Sequence, residues 1–469
     1  MRRAKIVCTL GPASNTAERV EALVAAGMDC ARLNFSHGDH ETHRATAQLV
    51  RAASSKLGRP VAILADLCGP KMRCGHFADG SVELVEGARF VLTSRDVEGT
   101  VDEVSQSYEA LPRDVVPGDK ILLDDGLLRL RVLETTETDV ITEVEIGGTL
   151  SDRKGINVPG AALSTPALTD KDRDDLEFAV EELKVDYLAL SFVRTPADVL
   201  QAQSLARGTP VIAKLEKPEA IENLEAICDT AEGAMVARGD LGVEVGSEKV
   251  PLIQKRIISE VNKRGKLVIT ATQMLDSMIR NPRPTRAEAA DVANAVLDGT
   301  DAVMLSGETA AGKYPVESVQ MMDAICREVE SSLYDDETRT IRIPELVDRS
   351  KWAYPDAAAR AAAMLSYALP LQAIVTFTRD GRSARLISEY RPREQIIAIT
   401  SRPDVANQLA LEWGVVPRLE IPPDTMEEAL RLCTALLVRE KLCVHGDSVA
   451  IVMGWPPSVG TNTVKLHRL

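Results

Sequence analysis

PVIAKLEKPEAIENL, residues 210–224, decides the fold, because a short apolar run ends abruptly in polar residues and a helix-like segment follows. The same arrangement recurs along the chain. The eight apolar runs are KIVCT (5–9), DCARLNF (29–35), VAILADL (61–67), DYLALSF (186–192), PVIAKLE (210–216), GAMVARGD (233–240), KLVITATQ (266–273) and DAVMLSGE (301–308). Amphipathic segments such as 17–26, 42–57, 170–183 and 251–264 separate most of them. Strands that alternate with helices predict eight parallel strands closed into a (β/α)8 TIM barrel.

Two further segments interrupt or follow this repeat. The third and fourth runs are about 120 residues apart, which is too long for one crossover connection. The insert, residues 70–166, is rich in Val, Leu, Thr and Glu with Gly/Asp turn signals, so we expect a small β-barrel lid domain there. Residues 1–69 and 167–340 then form the catalytic barrel. For residues 341–469 we expect a C-terminal open α/β domain with a mostly parallel sheet.

The charge of the chain excludes some classes of function. It has 469 residues, with 55 Lys and Arg against 70 Asp and Glu, a formal net charge of −15. So acidic a chain is a poor candidate for binding nucleic acid. We expect no membrane partner, because no apolar run reaches about 18 residues. The eight cysteines show no C-x-x-C pair and no zinc spacing, so we expect reduced thiols in a cytoplasmic enzyme.

Polar residues cluster where the predicted strands end, which is the catalytic end of such a barrel. Glu216 and Asp240 end neighbouring strands, and two carboxylates suit Mg²⁺ or Mn²⁺, which complete their shell with substrate and water. Lys214 lies two residues before Glu216 and therefore on the same face of its strand. The alternatives are two ordinary surface acids and a simple ion pair between Lys214 and Glu216.

Three cations are candidates for binding a phosphoryl group in this site. Arg32 lies inside the second run, Arg73 lies just past the third, and Lys214 ends the fifth. Positioning and charge neutralisation of this kind are most of what phosphoryl transfer requires. Gly239 would let backbone N–H groups approach an anion, although this signal is weak alone. Thr272 is either a proton relay or a purely structural residue.

Six longer segments carry a family resemblance. They are ARLNFSHG (31–38), LADLCGPKMR (64–73), IAKLEKPEAIENL (212–224), VARGDLGVE (236–244), ITATQML (269–275) and MLSGETAAGKYP (304–315). In these segments, and in the order of its domains, the chain resembles pyruvate kinases over essentially its whole length. The resemblance implies Mg²⁺-dependent phosphoryl transfer from phosphoenolpyruvate to ADP, giving pyruvate and ATP in the last step of glycolysis. It also implies a homotetramer regulated by a phosphorylated metabolite.

The resemblance further implies roles for individual residues. Glu216 and Asp240 match the divalent-metal ligands, and Lys214 matches the lysine that stabilises the transferring phosphoryl group. The contacts to phosphoenolpyruvate are matched by Arg32, Lys214, Gly239, Asp240 and Thr272. The nucleotide side is matched by Asn34, Ser36, His37, Arg73 and, from the lid, Lys154. The expected catalytic group therefore consists of Lys214, Thr272, Arg32 and Arg73.

One stretch departs from many family members, which bind K⁺ beside the substrate and read Asp-Thr-Lys-Gly-Pro-Glu. Here the residues are Asp66-Leu67-Cys68-Gly69-Pro70-Lys71. The K⁺ region itself is retained at Asn34, Ser36, Asp66 and Leu67. An ammonium group supplies the charge of a monovalent cation, so we expect Lys71 to replace K⁺, as in a K⁺-independent subgroup. The alternative is that Lys71 points to solvent.

The C-terminal domain departs from relatives that fructose 1,6-bisphosphate activates. Its loop Thr378-Arg379-Asp380-Gly381-Arg382-Ser383 follows a strand and opens a helix, which is the geometry of a phosphate loop. Asp380 places a negative charge where a phosphate would lie. We therefore expect a different effector, a sugar monophosphate or a nucleotide monophosphate. The alternative is a loop that binds nothing.

Two other functions compete with this interpretation. A Mg²⁺-dependent keto-acid lyase on the same barrel would share Glu216 and Asp240 but would have no use for the lid or Lys154. A catalytically silent phosphometabolite sensor would have lost the metal and lysine positions. Glu216, Asp240, Lys214 and Thr272 are all present, which favours the enzyme.

Overall fold

The computed structural model describes residues 2–161, 163–335, 353–421, 423, 425–456 and 459–469. Within them lie a closed parallel barrel, an inserted β-domain and a C-terminal α/β sheet. The domain boundary expected between residues 340 and 341 lies outside the described residues. None of the described helices is long and apolar enough to cross a bilayer.

Eight parallel strands close the barrel, each paired with its neighbours in chain order. They are Lys5–Thr9, Cys30–Asn34, Ala62–Asp66, Tyr187–Leu190, Val211–Leu215, Gly233–Ala237, Leu267–Ala271 and Ala302–Leu305. We number them one to eight. Each predicted run contains one of these strands, so the predicted (β/α)8 barrel is confirmed.

Helices surround the barrel strands. They are Ala17–Ala26, His40–Leu57, Asp170–Glu181, Pro196–Leu205, Pro218–Glu222, Leu224–Thr230, Arg238–Val245, Val250–Asn262, Arg286–Asp298, Gly307–Ala310 and Pro315–Asp335, with a 3-10 turn at Asp276–Ile279. Several begin at a residue whose side-chain oxygen accepts a hydrogen bond from the backbone N–H three residues later. This bond satisfies a donor that has no partner within the helix. Thr16, Asp39, Thr169 and Thr285 act in this way.

Successive residues of a strand face alternately into the barrel and toward the helices, and this alternation positions the polar side chains. On the fifth strand Ile212 packs in the barrel interior. Lys214 and Glu216 follow it at steps of two residues, so they face the barrel axis at its carboxyl end. The same alternation turns Arg32 of the second strand and Asp66 of the third toward this point.

The insert forms a mainly antiparallel sheet of seven strands. In spatial order they are Met72–Arg73, Gly155–Asn157, Lys120–Leu123, Leu128–Thr135, Asp139–Ile146, Arg89–Thr93 and Glu103–Ser105. An additional pair consists of Ser81–Leu84 and Gly148–Ser151, and a short helix spans Leu111–Asp114. An isolated bridge joins Cys74 to Gln106, the residues that directly follow the two edge strands, so the sheet closes on itself.

Polar contacts attach the insert to the carboxyl end of the barrel. Glu244 Oε1 accepts from Asn157 Nδ2 of the insert at 3.1 Å and from Lys217 Nζ of the barrel at 2.6 Å. Arg194 of the barrel donates to Leu163 O at 2.8 Å and to Thr165 O at 2.6 Å. These contacts hold the insert beside the end of the barrel where the charged strand ends lie.

The C-terminal domain is an open five-stranded sheet. Its order is Val415–Leu419, Ile396–Thr400, Leu371–Phe377, Ser448–Met453 and Thr463–Arg468, with only the last strand antiparallel. Ala353–Ala368, Arg382–Glu389 and Pro403–Leu409 cover one face, and Met426–Arg439 covers the other. The predicted mostly parallel α/β sheet is confirmed.

This domain docks against the amino end of the barrel. Leu411 is fully buried and belongs to the same apolar cluster as the interior residues of the barrel strands. Tyr187 Oη of the fourth strand donates to Gln408 O at 3.1 Å, and Lys5 Nζ of the first donates to Val415 O at 2.6 Å. Leu411 therefore closes the barrel at the end opposite the polar strand ends.

We expect Leu411→Ala to destabilise the chain by about 2–5 kcal/mol, because the substitution leaves a cavity in a filled interior. Calorimetry would record this as a fall in Tm. Leu419→Ala is the matched control, because Leu419 is 49% exposed. Equal Tm values for the two variants would contradict the role given to Leu411.

Candidate active site

Four charged side chains form a buried cluster at the carboxyl end of the barrel. Arg32 Nε donates to Asp66 Oδ2 at 2.6 Å, and Arg32 Nη1 donates to Thr9 Oγ1 at 2.9 Å. Lys214 Nζ lies 3.1 Å from Asp66 Oδ1 and 3.0 Å from Glu216 Oε1. Both carboxylate side chains are only 1% exposed. Two cations and two anions therefore share one water-poor space.

The pKa values of the cluster follow from burial and mutual pairing. Burial alone would raise the pKa of Asp66, but Arg32 and Lys214 outweigh it, so this pKa lies below its ordinary value. Burial would lower the pKa of Lys214, but Asp66 and Glu216 hold it well above its usual range. Burial raises the pKa of Glu216, Lys214 lowers it, and the like charge of Asp240 raises it again, with a net upward direction. The two carboxylates therefore favour the ammonium form of Lys214.

The end of the fourth strand holds this cluster in place. Lys214 Nζ donates to Ser191 Oγ at 2.7 Å, and Ser191 Oγ donates to Leu67 O at 2.7 Å. Phe192, whose φ is +55°, donates its N–H to Glu216 Oε2 at 2.8 Å. Sequence reasoning missed both residues, because a serine or a backbone N–H after an apolar run carries no signal of its own.

Glu216 and Asp240 are the residues suited to a divalent cation. Glu216 Oε1 is buried and accepts no hydrogen bond from a described residue, although Lys214 Nζ lies at ion-pair distance. Asp240 is half-buried and near enough to raise the pKa of Glu216. Among the described residues no three His, Cys, Asp or Glu side chains form a complete metal site. Two carboxylates, one with a buried oxygen that accepts no hydrogen bond from a described residue, fit Mg²⁺ or Mn²⁺, which take few protein ligands.

Thr272 lies at the end of the seventh strand, beside the helix that follows the sixth. Its Oγ1 accepts from Gly239 N at 2.8 Å and donates to Ala271 O at 2.7 Å. The N–H expected to meet an anion therefore bonds the Thr272 hydroxyl in this state. Because Asp240 is the next residue after Gly239, the hydroxyl and the carboxylate belong to one corner of the site.

Comparison with known proteins identifies the family. Residues 1–319 match the pyruvate kinase barrel domain, and residues 356–467 match the pyruvate kinase alpha/beta domain. The chain belongs to the pyruvate kinase family. It is therefore an enzyme that transfers a phosphoryl group, and the substrates of the family are phosphoenolpyruvate and ADP.

Several bacterial pyruvate kinases are similar along their length. One from Mycobacterium tuberculosis is 48% identical over 480 residues, which cover 100% of this chain and 98% of the relative. One from Geobacillus stearothermophilus is 46% identical over 475 residues, 99% of this chain and 80% of the relative. One from Clostridium perfringens is 41% identical over 478 residues, 100% of both chains.

The residues expected on the nucleotide side lie in two regions. Asn34 ends the second strand, Ser36 and His37 lie in the loop that follows, and Asn34 Oδ1 accepts from Ser36 N at 3.2 Å. Burial, and then the charges of Arg73, Lys71 and Arg32, lower the pKa of His37. The loop therefore faces a group of cations.

Arg73 and Lys154 meet at the base of the insert. The strand of Arg73 pairs with Gly155–Asn157, which Lys154 directly precedes, and Arg73 Nη1 donates to Arg153 O at 3.1 Å. Lys154 Nζ lies 2.8 Å from Asp124 Oδ1, so its ammonium group is held within the insert in this state. A nucleotide would have to draw Lys154 away from Asp124 to engage it.

Lys71 stands between the metal side and the loop after the second strand. Its Nζ lies 3.7 Å from Asp240 Oδ1, and its charge contributes to the lowered pKa of His37. Asp66 is one of the residues expected to form the K⁺ region, and here its carboxylate forms ion pairs with Arg32 and Lys214.

The loop 378–383 borders a cavity of about 440 Å³ in the C-terminal domain. Thr378 Oγ1 accepts from Gly381 N at 2.9 Å, and Asp380 Oδ1 accepts from Arg382 N at 3.2 Å. Ser383 Oγ lies 2.6 Å from Thr461 Oγ1. Arg379 also lines the cavity. The N–H groups of Gly381 and Arg382 thus donate to side chains of the loop itself, the Thr378 hydroxyl and the Asp380 carboxylate.

Proposed function

We propose that Lys214 neutralises the charge of the phosphoryl group as it passes from phosphoenolpyruvate to ADP. The observation that carries this proposal is the position of Lys214 Nζ between Asp66, Glu216 and Ser191, within 3.1 Å of an oxygen of each. A cation that is already oriented needs no reorganisation when charge develops in the transition state. Arg32, which Asp66 orients, would bind the phosphate of the substrate.

Glu216 and Asp240 would hold the divalent cation, Mg²⁺ or Mn²⁺. When bound, it supplies positive charge for the phosphoryl and enolate oxygens. Gly239, Asp240 and Thr272 would contact the organic part of the substrate. We assign the second step, protonation of the enolate carbon, to water beside the Thr272 hydroxyl. Arg73, Asn34, Ser36, His37 and Lys154 would bind the nucleotide, and closure of the lid would keep water from the enolate.

We expect Lys214→Ala to lose at least about a hundredfold in the rate of pyruvate formation, since it removes the charge that meets the developing anion. Mn²⁺ binding, followed by electron paramagnetic resonance, should stay close to that of the parent. Lys263→Ala is the control, because the Lys263 side chain is half-exposed and pairs with Glu260, far from the barrel interior. Pyruvate formation by Lys214→Ala at the parent rate would contradict the role proposed for Lys214.

We also propose that the Lys71 ammonium group replaces K⁺. Support comes from its Nζ, 3.7 Å from Asp240 Oδ1, and from the effect of its charge on the pKa of His37, which lies in the loop after Asn34. The Leu67 carbonyl is also engaged there, by the Ser191 hydroxyl. A fixed unit charge at this point makes a monovalent ion unnecessary.

We expect the parent to be equally active in sodium-only buffer and after addition of K⁺. Lys71→Glu, which restores the residue of K⁺-using members, should become dependent on K⁺, with about tenfold or greater activation. Initial rates at fixed Mg²⁺ would measure both. Tenfold activation of the parent by K⁺ would discard the proposal while leaving the kinase assignment intact.

We propose that the cavity beside loop 378–383 binds a phosphorylated effector. Its volume of about 440 Å³ lies in the range of small-ligand pockets. Asp380 would repel the second phosphate of a bisphosphate, so the preferred ligand would be a sugar or nucleotide monophosphate. Family resemblance further supports a cytoplasmic homotetramer, a common closed symmetry that would let domain rotations carry the effector signal.

Equilibrium titration of the full chain should show tighter binding of a monophosphate than of fructose 1,6-bisphosphate. Asp380→Asn should reverse or narrow that preference, because it removes the repelling charge. The control is Asp96→Asn, a change to a carboxylate of the insert. If no phosphorylated metabolite binds the parent, the loop has no effector role.

A further inference from the structure

The turn after the seventh strand has an unusual backbone. Thr272 has a φ of +69° and Gln273 a φ of +53°, so two consecutive non-glycine residues occupy the left-handed region. For a β-branched residue such as threonine this conformation is a genuine outlier. It persists only where surrounding contacts determine it, and such contacts tend to cluster at functional sites.

Arg238 supplies those contacts. Its Nη2 donates to Thr272 O at 2.6 Å and its Nε donates to Ala271 O at 3.2 Å. The guanidinium group therefore spans two consecutive carbonyl groups of the turn. On its other side Nη1 donates to Asp291 Oδ1 at 2.7 Å, from the helix Arg286–Asp298. The Arg238 side chain is only 10% exposed, so it lies beneath the turn and not among the groups that would meet substrate.

We propose that Arg238 is a positioning residue that sets the Thr272 hydroxyl for reaction, a role that rests on the proposed function of Thr272. The Ala271 carbonyl accepts from both Arg238 Nε and Thr272 Oγ1. Arg238 thus fixes the carbonyl groups of Ala271 and Thr272. The Ala271 carbonyl is also the acceptor to which the Thr272 hydroxyl donates. Gly239, the next residue, donates its N–H to the same hydroxyl.

The geometry requires arginine and not just a positive charge. A guanidinium group presents its donors in a rigid planar fork, whereas an ammonium group presents them from one point. Lysine at this position would keep the charge near Asp291 but could not span two carbonyl groups. Without both contacts the strained turn would relax and turn the hydroxyl away from its present direction. Displacements of about 1 Å at a reacting group can cost about a hundredfold in rate.

A double-mutant cycle with Arg238→Lys and Thr272→Ala tests this proposal. We expect Arg238→Lys to lower kcat/KM for phosphoenolpyruvate by about tenfold to a hundredfold. The KM for ADP should stay within about twofold, because the nucleotide residues lie on other elements. If Arg238 acts through the Thr272 hydroxyl, the double variant should be no slower than Thr272→Ala alone. A purely structural role would instead multiply the two losses.

Arg51→Lys is the matched control. Arg51 also donates to a backbone carbonyl, Val61 O at 3.0 Å, and to a carboxylate, Asp186 Oδ2 at 2.8 Å, at the amino end of the barrel. It should leave kcat/KM for phosphoenolpyruvate unchanged. If Arg238→Lys does not fold, Asp291→Asn replaces it in the cycle, because it weakens the ion pair that holds the same guanidinium group. We then expect a smaller loss in kcat/KM for phosphoenolpyruvate and again no further loss in the double variant with Thr272→Ala.

Three results would overturn the proposal: parent-like kinetics of Arg238→Lys, losses that multiply in the double variant, or an equal change in the KM for both substrates. Failure of the proposed function has a different signature. A parent that forms no pyruvate, or a Thr272→Ala variant as fast as the parent, would remove the role of Thr272 itself.

Discussion

Charge balance inside the barrel is the constraint on which the site depends. Asp66 and Glu216 are almost fully buried, and neither could remain ionised without Lys214 between them and Arg32 beside Asp66. Removing one partner of a buried pair leaves an uncompensated charge, which is far more costly than the pair is stabilising. Asp240 adds a third carboxylate, and the Lys71 ammonium group lies 3.7 Å from it. Three acids and three cations therefore face one another at this end of the barrel, and a divalent cation would compete with Lys214 and Lys71 for Glu216 and Asp240.

Strand alternation explains why so much of the site could be predicted from the sequence. Lys214 and Glu216 share a strand face by their spacing alone, and parallel strands end at the same rim. Hydrogen bonds between elements could not be predicted, because the partners of Ser191 and Arg238 lie on strands and helices that are distant in the sequence. The two edge strands of the C-terminal sheet also carry weak sequence signals. Val415–Leu419 contains Pro417, which is atypical of strands, and Thr463–Arg468 is a polar edge.

The C-terminal domain contributes to the barrel as well as docking on it. Tyr187 begins the fourth strand and Ser191 directly follows it, four residues later. Tyr187 Oη donates to Gln408 O in the segment that carries Leu411, and Ser191 Oγ accepts from Lys214 Nζ. Glu412 of that segment also accepts from Arg385 Nε at 2.9 Å. Arg385 belongs to the helix that opens at loop 378–383. A contiguous set of contacts therefore runs from the helix beside the C-terminal cavity, through Glu412 and Tyr187, to the strand end where Ser191 bonds Lys214.

Three consecutive residues join the remaining parts of the site. Arg238 reaches back to the turn at Thr272, Gly239 donates its N–H to the Thr272 hydroxyl, and the carboxylate of Asp240 meets Lys71. They form the first turn of the helix Arg238–Val245, in which successive side chains point about 100° apart. These three residues can therefore contact groups on three different sides. The Asp240 carboxylate and the Thr272 hydroxyl are therefore held by one short segment of backbone. Because Arg238 bonds both carbonyl groups of the turn, the strained conformation of Thr272 is maintained from the same segment that carries Asp240.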